Sequence, residues 1–126
     1  MTSSYLFTGG RVLDAEAGVL RDGLDVLVTD NTIAAVGAGL SVPPQTTEIA
    51  LGGRTVMPGL IDCHVHVVAE TLDLWSNMTA PASLSALRSA RVMNEALLRG
   101  FTTLRDLGGA DHGLVRSVAE GIISGP

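Results

Sequence analysis

The stretch Pro58-Gly59-Leu60-Ile61-Asp62-Cys63-His64-Val65-His66 decides the fold expected for this chain. It has the pattern of an extended strand entered through a tight Pro-Gly turn. Successive side chains of a strand point to opposite faces, so His64 and His66 share one face, and Asp62 lies on it with them. The opposite face is apolar apart from the Cys63 thiol, which is typical of a strand covered by helices. One face is therefore expected to pack and the other to bind.

Composition limits the classes of protein to which the chain can belong. It has 126 residues, of which 46% are hydrophobic, and a net charge of -5. This composition indicates a folded protein with a core, not a disordered segment. All eight basic residues are arginines and they are scattered, so no basic stripe predicts binding to nucleic acid. We also find no secretory signal and no segment of transmembrane length, and we expect a cytoplasmic protein that does not bind membranes.

The first part of the chain reads as short strands separated by turn residues. The predicted strands are Tyr5 to Thr8, Arg11 to Asp14, Leu24 to Thr29, Thr32 to Val36, Thr47 to Leu51 and Arg54 to Met57. Asp30-Asn31 lies between two of them and predicts a hairpin, because both residue types tolerate positive φ. We therefore expect an antiparallel β-module.

From Pro58 the pattern changes to alternating strands and helices. Apolar residues at helical spacing predict a helix from Pro81 to Arg99, and Phe101 to Leu107 reads as the next strand. A shorter helix follows up to Ile122, with Asp111 as its N-cap. This βαβα order predicts an α/β fold with parallel strands.

The two histidines are the strongest candidates for chemistry. A His-x-His pair alone is weak evidence, since histidines are also common as ordinary polar residues. Here the pair ends a strand that opens a βαβα series, where parallel α/β folds place their sites. Neutral imidazoles favour zinc among the divalent metals. Cys63, the single cysteine, is expected to be a buried small hydrophobe.

Two segments resemble a known family. The run from Val56 to His66 resembles the signature at the first barrel strand of the amidohydrolase superfamily of metal-dependent hydrolases. Gly100 to Gly109 is similar to the second barrel strand of its prolidase-like and metallocarboxypeptidase-like branch. The resemblance implies a partial β-sandwich module over residues 1–57. It also implies that residues 58–126 begin a TIM-type (β/α)8 barrel, with two of its strands and two of its helices.

The resemblance also implies roles for individual residues. His64 and His66 would be metal ligands for one or two divalent ions, with zinc preferred. Asp62, one step deeper on the same face, would support the ligands and not bind the ion itself. Asp106 has two alternatives: it lines the site, or it makes a salt bridge or loop hydrogen bond at the rim.

Three other polar residues near the site are given ordinary roles. Glu70 and Asp73 follow the strand in a loop and are expected to be solvated. His112 is expected to be an exposed residue at a helix start. None of the three is predicted to bind metal.

The function implied is metal-dependent hydrolysis of an amide or peptide-type bond in a small or short peptide-like substrate. In the family a carboxylated lysine, two more histidines and an aspartate complete the site, and none of them can be placed in this chain. We therefore expect an amino-terminal fragment, inactive until the remainder of the barrel is supplied in cis or in trans, and able to form a homo-oligomer when complete. The alternatives are a cyclic-amide hydrolase or deaminase of the same superfamily, a non-catalytic binding remnant, and an open α/β domain whose histidine pair is incidental.

Overall fold

A computed structural model describes residues 3–126, and the chain divides into two compact units. The first unit ends at Pro58 and the second runs from Gly59 to Pro126. Within residues 3–126 no helix combines the length and the apolar character that crossing a bilayer requires.

The first unit consists of strands. They are β1 (Ser4–Thr8), β2 (Arg11–Asp14), β3 (Val19–Asp22), β4 (Asp25–Thr29), β5 (Thr32–Gly37), β6 (Thr47–Ala50) and β7 (Thr55–Val56). One sheet has the order β5-β4-β1-β6 and the other the order β3-β2-β7. The β1–β6 and β2–β7 pairs are parallel, so the expectation of a purely antiparallel module was wrong. The reason is that β6 and β7 come from later in the chain and add to the free edges of β1 and β2 without a tight turn.

The hairpin at Asp30-Asn31 is confirmed. Strands β4 and β5 pair antiparallel on either side of it, and Asp30 adopts a φ of 53°. Such a conformation suits a short polar side chain that can bond locally. The buried apolar residues near it are Val26 and Leu27 on β4, which form the core of this unit.

Strand β3 was not expected from the sequence. Its residues Val19–Asp22 are all exposed, and they pair with β2 alone at the edge of the smaller sheet. An edge strand without a buried face has no alternation of apolar and polar residues, so it gives little signal.

The second unit alternates strands and helices. Its elements are β8 (Leu60–Val65), α1 (Leu74–Thr79), α2 (Ala82–Leu98), β9 (Phe101–Asp106) and α3 (His112–Ala119). Strands β8 and β9 are parallel, which confirms the pairing predicted from the βαβα order. Gly100 has a φ of 94° and follows α2, and the Asp111 side chain caps α3 by accepting from the N–H groups of Gly113 and Leu114.

The register between β8 and β9 slips twice. From the Leu60–Phe101 pair to the Ile61–Thr103 pair, β9 advances two residues while β8 advances one. From the Asp62–Leu104 pair to the Val65–Asp106 pair, β8 advances three residues while β9 advances two. The strands therefore each contain one extra residue, and the second slip restores the original alignment. Bulges of this kind bend a strand and turn its side chains.

Helix α1 is a second departure from the sequence prediction. It has only six residues and none of them is buried, so it lacks the repeated apolar spacing by which longer helices are recognised. The loop expected before α2 therefore contains a helical turn that is capped by the side chain of Asp73.

The covered face of β8 is smaller than expected. Val67, just after the strand, is 6% exposed and Met93 of α2 is also 6% exposed. Ile61 is 64% exposed, and Cys63 is exposed as well, so the prediction that Cys63 is buried was wrong. Val67, Met93, Leu104 and residues of α3 line a common apolar cleft, so packing is concentrated at the carboxyl end of the strand.

Candidate metal centre

His64 and His66 lie side by side at the carboxyl end of β8. Their ring centroids are 5.4 Å apart and the ring planes meet at 74°. This is the geometry expected of two side chains on one face of a strand. His64 is within the strand, whereas His66 is the first residue after its last, Val65. Both residues are exposed.

The His66 ring has a backbone partner. Its Nδ1 atom lies 2.9 Å from the carbonyl oxygen of Gly108, which belongs to the loop after β9. A carbonyl can only accept a hydrogen bond, so Nδ1 carries the proton and donates it. When the ring is neutral, the other ring nitrogen, Nε2, keeps its lone pair. A neutral imidazole in this tautomer can bind a metal ion through Nε2.

Asp62 lies below the pair and supports the strand. Its Oδ1 atom accepts a hydrogen bond of 3.0 Å from the backbone N–H of His64. Asp62 is half-buried, and it contributes to the lining of a cleft that also includes His66, Val65 and Phe101. The carboxylate therefore fixes the backbone from which the His64 ring projects.

Asp106, the last residue of β9, makes loop hydrogen bonds, which was one of its two predicted alternatives. Its Oδ2 accepts from the N–H of Val67 at 2.8 Å and its Oδ1 accepts from the N–H of Gly108 at 2.8 Å. The same carboxylate thus binds both loops that flank the histidine pair.

The donors fit the first pair of ligands of a divalent metal site. Two imidazoles are adjacent, and one of them is held in the tautomer that leaves Nε2 free. Across residues 3–126 no group of three or more His, Cys, Asp or Glu side chains could hold an ion. A catalytic zinc commonly takes three protein ligands and a water, so two imidazoles would fill only part of such a set.

The remaining polar residues named from the sequence have structural partners. Glu70, expected to be solvated, forms ion pairs with Arg88, at 2.9 Å, and with Arg91. Asp73 accepts from the N–H of Ser76 at 3.2 Å as the cap of α1. His112 is exposed in the first turn of α3, as expected.

The Gly108 carbonyl is the contact that the sequence did not reveal. Any residue carries a backbone carbonyl, so no residue type marks the one that orients a histidine. The nearest available signal was the position of Gly108 two residues after the end of β9, at the strand end where the site was expected.

Comparison with known proteins gives a consistent family. A family model described as the amidohydrolase family matches residues 55–126. A dihydroorotase of Geobacter sp. strain M21 is 47% identical over 64 residues, which are 51% of this chain and 15% of that protein. An ochratoxinase of Aspergillus niger is 32% identical over 125 residues, covering 93% of this chain and 25% of that protein.

Solved structures agree over almost the whole chain. A prolidase crystallised with N-methylphosphonate-L-proline superposes with a TM-score of 0.90 at 43% identity, over 98% of this chain and 30% of that one. The ochratoxinase of A. niger superposes with a TM-score of 0.81 at 28% identity, over 99% of this chain and 30% of that one. The chain therefore corresponds to less than a third of each of these relatives.

Proposed function

Because this chain belongs to the amidohydrolase family, we propose that the protein at its native length hydrolyses an amide or peptide-type carbon–nitrogen bond with the help of bound metal. The observation that carries the proposal is the His64–His66 pair, with ring centroids 5.4 Å apart and the Nδ1 atom of His66 bonded to Gly108. His64 and His66 would be ligands of one or two divalent ions, with zinc preferred because neutral imidazoles suit it. When bound, such an ion lowers the pKa of water towards about 7 and polarises the scissile carbonyl.

The residues of this chain would hold the metal ion and orient its histidine ligands. His66 is kept in one tautomer by the Gly108 carbonyl, and the backbone of His64 is fixed by Asp62. We assign no proton-transfer role to any of them.

We propose that the first unit is part of a β-sandwich and that the second begins a (β/α)8 barrel. A cavity of about 210 Å³ is lined by apolar side chains from both sheets of the first unit, which supports packing of one sheet on the other. A complete barrel takes about 250 residues, so the remaining strands must be supplied in cis or in trans. Residues 1–126 alone are therefore expected to be inactive.

The relatives support two candidate classes of substrate bond. Similarity to the prolidase extends over 98% of the chain, which favours a peptide-like substrate. The dihydroorotase has a higher sequence identity, 47%, but over only 64 residues. It supports a cyclic amide as the second candidate substrate. We further propose that the enzyme is cytoplasmic, can form a homo-oligomer when complete, and binds neither nucleic acid nor membranes.

The substrate class is tested with the protein at its native length, loaded with zinc. Dipeptides ending in proline and N-acyl amino acids form one substrate panel, and cyclic amides and imides form the other. We expect turnover in the first panel only; turnover in the second panel alone would favour the cyclic-amide alternative. Absence of turnover in both, with zinc bound, would favour a non-catalytic binding protein.

The ligand assignment is tested by substitution of each histidine. His64→Ala and His66→Ala should each lower the affinity for zinc by at least tenfold, measured by competition with a chromophoric chelator. His112→Ala is the matched control, because the chain has three histidines and this one lies in α3. Unchanged zinc affinity in the first two variants would refute the assignment.

A further inference from the structure

Asp106 is connected to His66 by a closed set of hydrogen bonds. Its Oδ2 binds the N–H of Val67, the residue that follows His66, and its Oδ1 binds the N–H of Gly108. The carbonyl of that same Gly108 meets Nδ1 of His66 at 2.9 Å. One carboxylate therefore fixes the chain on both sides of the contact between ring and carbonyl.

Two features of the neighbouring backbone position the Gly108 peptide. The N–H of Leu107 donates to the carbonyl of Val65 at 3.1 Å, which continues the β8–β9 pairing up to the site. Gly109 has a φ of 103°, and a Cβ there would collide with Val68. The Gly108 peptide is thus held between a strand pairing and a glycine that no other residue type replaces easily.

We propose that Asp106 is a positioning residue that sets the tautomer of His66. By binding the N–H groups of Val67 and Gly108 it directs the Gly108 carbonyl at Nδ1 of His66, which keeps the proton on Nδ1 and the lone pair on Nε2. Asp106 acts through backbone atoms and touches neither ring. The value of this arrangement for metal binding rests on the proposed function, whereas the tautomer is a property of the metal-free protein.

Asp106→Asn is the informative variant. The asparagine side chain has the same shape, but it offers one acceptor oxygen where the carboxylate offers two, and its NH2 group would face a backbone N–H. One of the two loop contacts is therefore lost. Asp111→Asn is the matched control, because it makes the same exchange at a carboxylate whose Oδ1 accepts from the N–H groups of Gly113 and Leu114 at the start of α3.

The test measures the tautomer and the metal affinity separately, on the protein at its native length. Nitrogen-15 NMR of the metal-free protein should show His66 protonated at Nδ1 in the wild type and in Asp111→Asn. In Asp106→Asn the ring should become a mixture of the two tautomers. The affinity for zinc should fall by about 10- to 100-fold in Asp106→Asn, as for other groups that orient a histidine ligand, and stay within threefold in Asp111→Asn.

The outcomes separate this inference from the proposed function. An unchanged His66 tautomer in folded Asp106→Asn would overturn the inference, whatever the metal affinity. If zinc affinity does not depend on His66 at all but the tautomer still responds to Asp106, the proposed function fails and the positioning role stands. If Asp106→Asn does not fold, the wild-type protein is measured instead. The inference then requires scalar couplings across the hydrogen bonds from the Val67 and Gly108 amides to the Asp106 carboxyl carbon, and it requires His66 to be protonated at Nδ1. Absence of either observation overturns the inference.

Discussion

At the scale of single residues, carboxylates that accept from backbone N–H groups recur in this chain. Asp62 and Asp106 do so at the histidine pair, and Asp111 does so at a helix start. The sequence predicted the shared face of His64 and His66, because the alternation of a strand depends only on residue spacing. It left the role of Asp106 open and gave no sign of the Gly108 carbonyl, because the partners in those contacts are main-chain atoms common to all residues.

Asp14 offers a pH-dependent test of the same kind of contact. The backbone N–H of Ala17, together with the Arg21 guanidinium, lowers the pKa of Asp14 below its ordinary value. Since the folded-state pKa is depressed, the contribution of this contact to stability is present at neutral pH and is lost as the pH falls below about 4. Carbon-13 NMR of the carboxyl group measures the pKa directly.

Arg21→Gln should raise the pKa of Asp14 only part of the way to its ordinary value, because the hydrogen bond from the Ala17 N–H, the largest single cause, remains. Glu120 pairs with Arg116 in α3, so Arg116→Gln is a control that should leave Asp14 unaffected. A return of Asp14 to the ordinary pKa in Arg21→Gln would show that the arginine is the main cause instead.

At the scale of elements, strong periodicity was predictable and short or exposed elements were not. Helix α2 was expected from Pro81 to Arg99 and is found over Ala82–Leu98, because its apolar stripe and Gly100 both mark it. Strand β3 and helix α1 were missed because neither buries a residue. Strand β3 depends on its pairing with β2, and helix α1 depends on its Asp73 cap. The spacing of apolar residues carries no information about either contact.

Gly59, immediately before β8, lies too close to Thr102 to carry a side chain without strain. A Cβ on Gly59 would collide with the side chain of Thr102, the extra residue of β9 at the first register slip. Gly59→Ala should therefore lower the free energy of unfolding by about 1–3 kcal/mol, the usual cost of overpacking. Urea unfolding of the protein at its native length measures the change. Gly108→Ala is the control, because a Cβ at that position would meet no atom within 4 Å.

Thr102→Gly removes the atoms that the new Cβ would meet, so the double variant tests the cause. The combined destabilisation should be smaller than the sum of the two single effects. Simple additivity would place the strain of Gly59→Ala elsewhere.

At the scale of the whole molecule, the chain has little core for its length. The hydrophobic residues buried among residues 3–126 are Val26, Leu27, Val67 and Met93. In the second unit Leu87 and Leu98 of α2 are 72% and 78% exposed, and an apolar cleft of about 360 Å³ lies beside α3. The sequence predicted a barrel that begins and does not close, and this stays a prediction; the chain covers 30% of the prolidase and of the ochratoxinase.

Residues 1–126 prepared alone are therefore expected to associate. Exposed apolar surface on this scale favours self-association and dye binding, so we expect concentration-dependent oligomers in sedimentation and strong ANS fluorescence. Thermal unfolding should be broad, since each unit buries only two hydrophobic residues among those described. A stable monomer with one cooperative transition would contradict the proposal that the barrel is incomplete.

The paired slips between β8 and β9 have a consequence for how this segment can change in evolution. Each strand has one surplus residue, and the two surpluses cancel at Val65 and Asp106. Deletion of a single residue from one strand would leave the extra residue of the other strand without its counterpart. All later residues of the shortened strand would then shift by one position, and their side chains would point to the opposite face of the sheet. Gene variants that shorten this segment should thus retain their chemistry only when both strands lose a residue together.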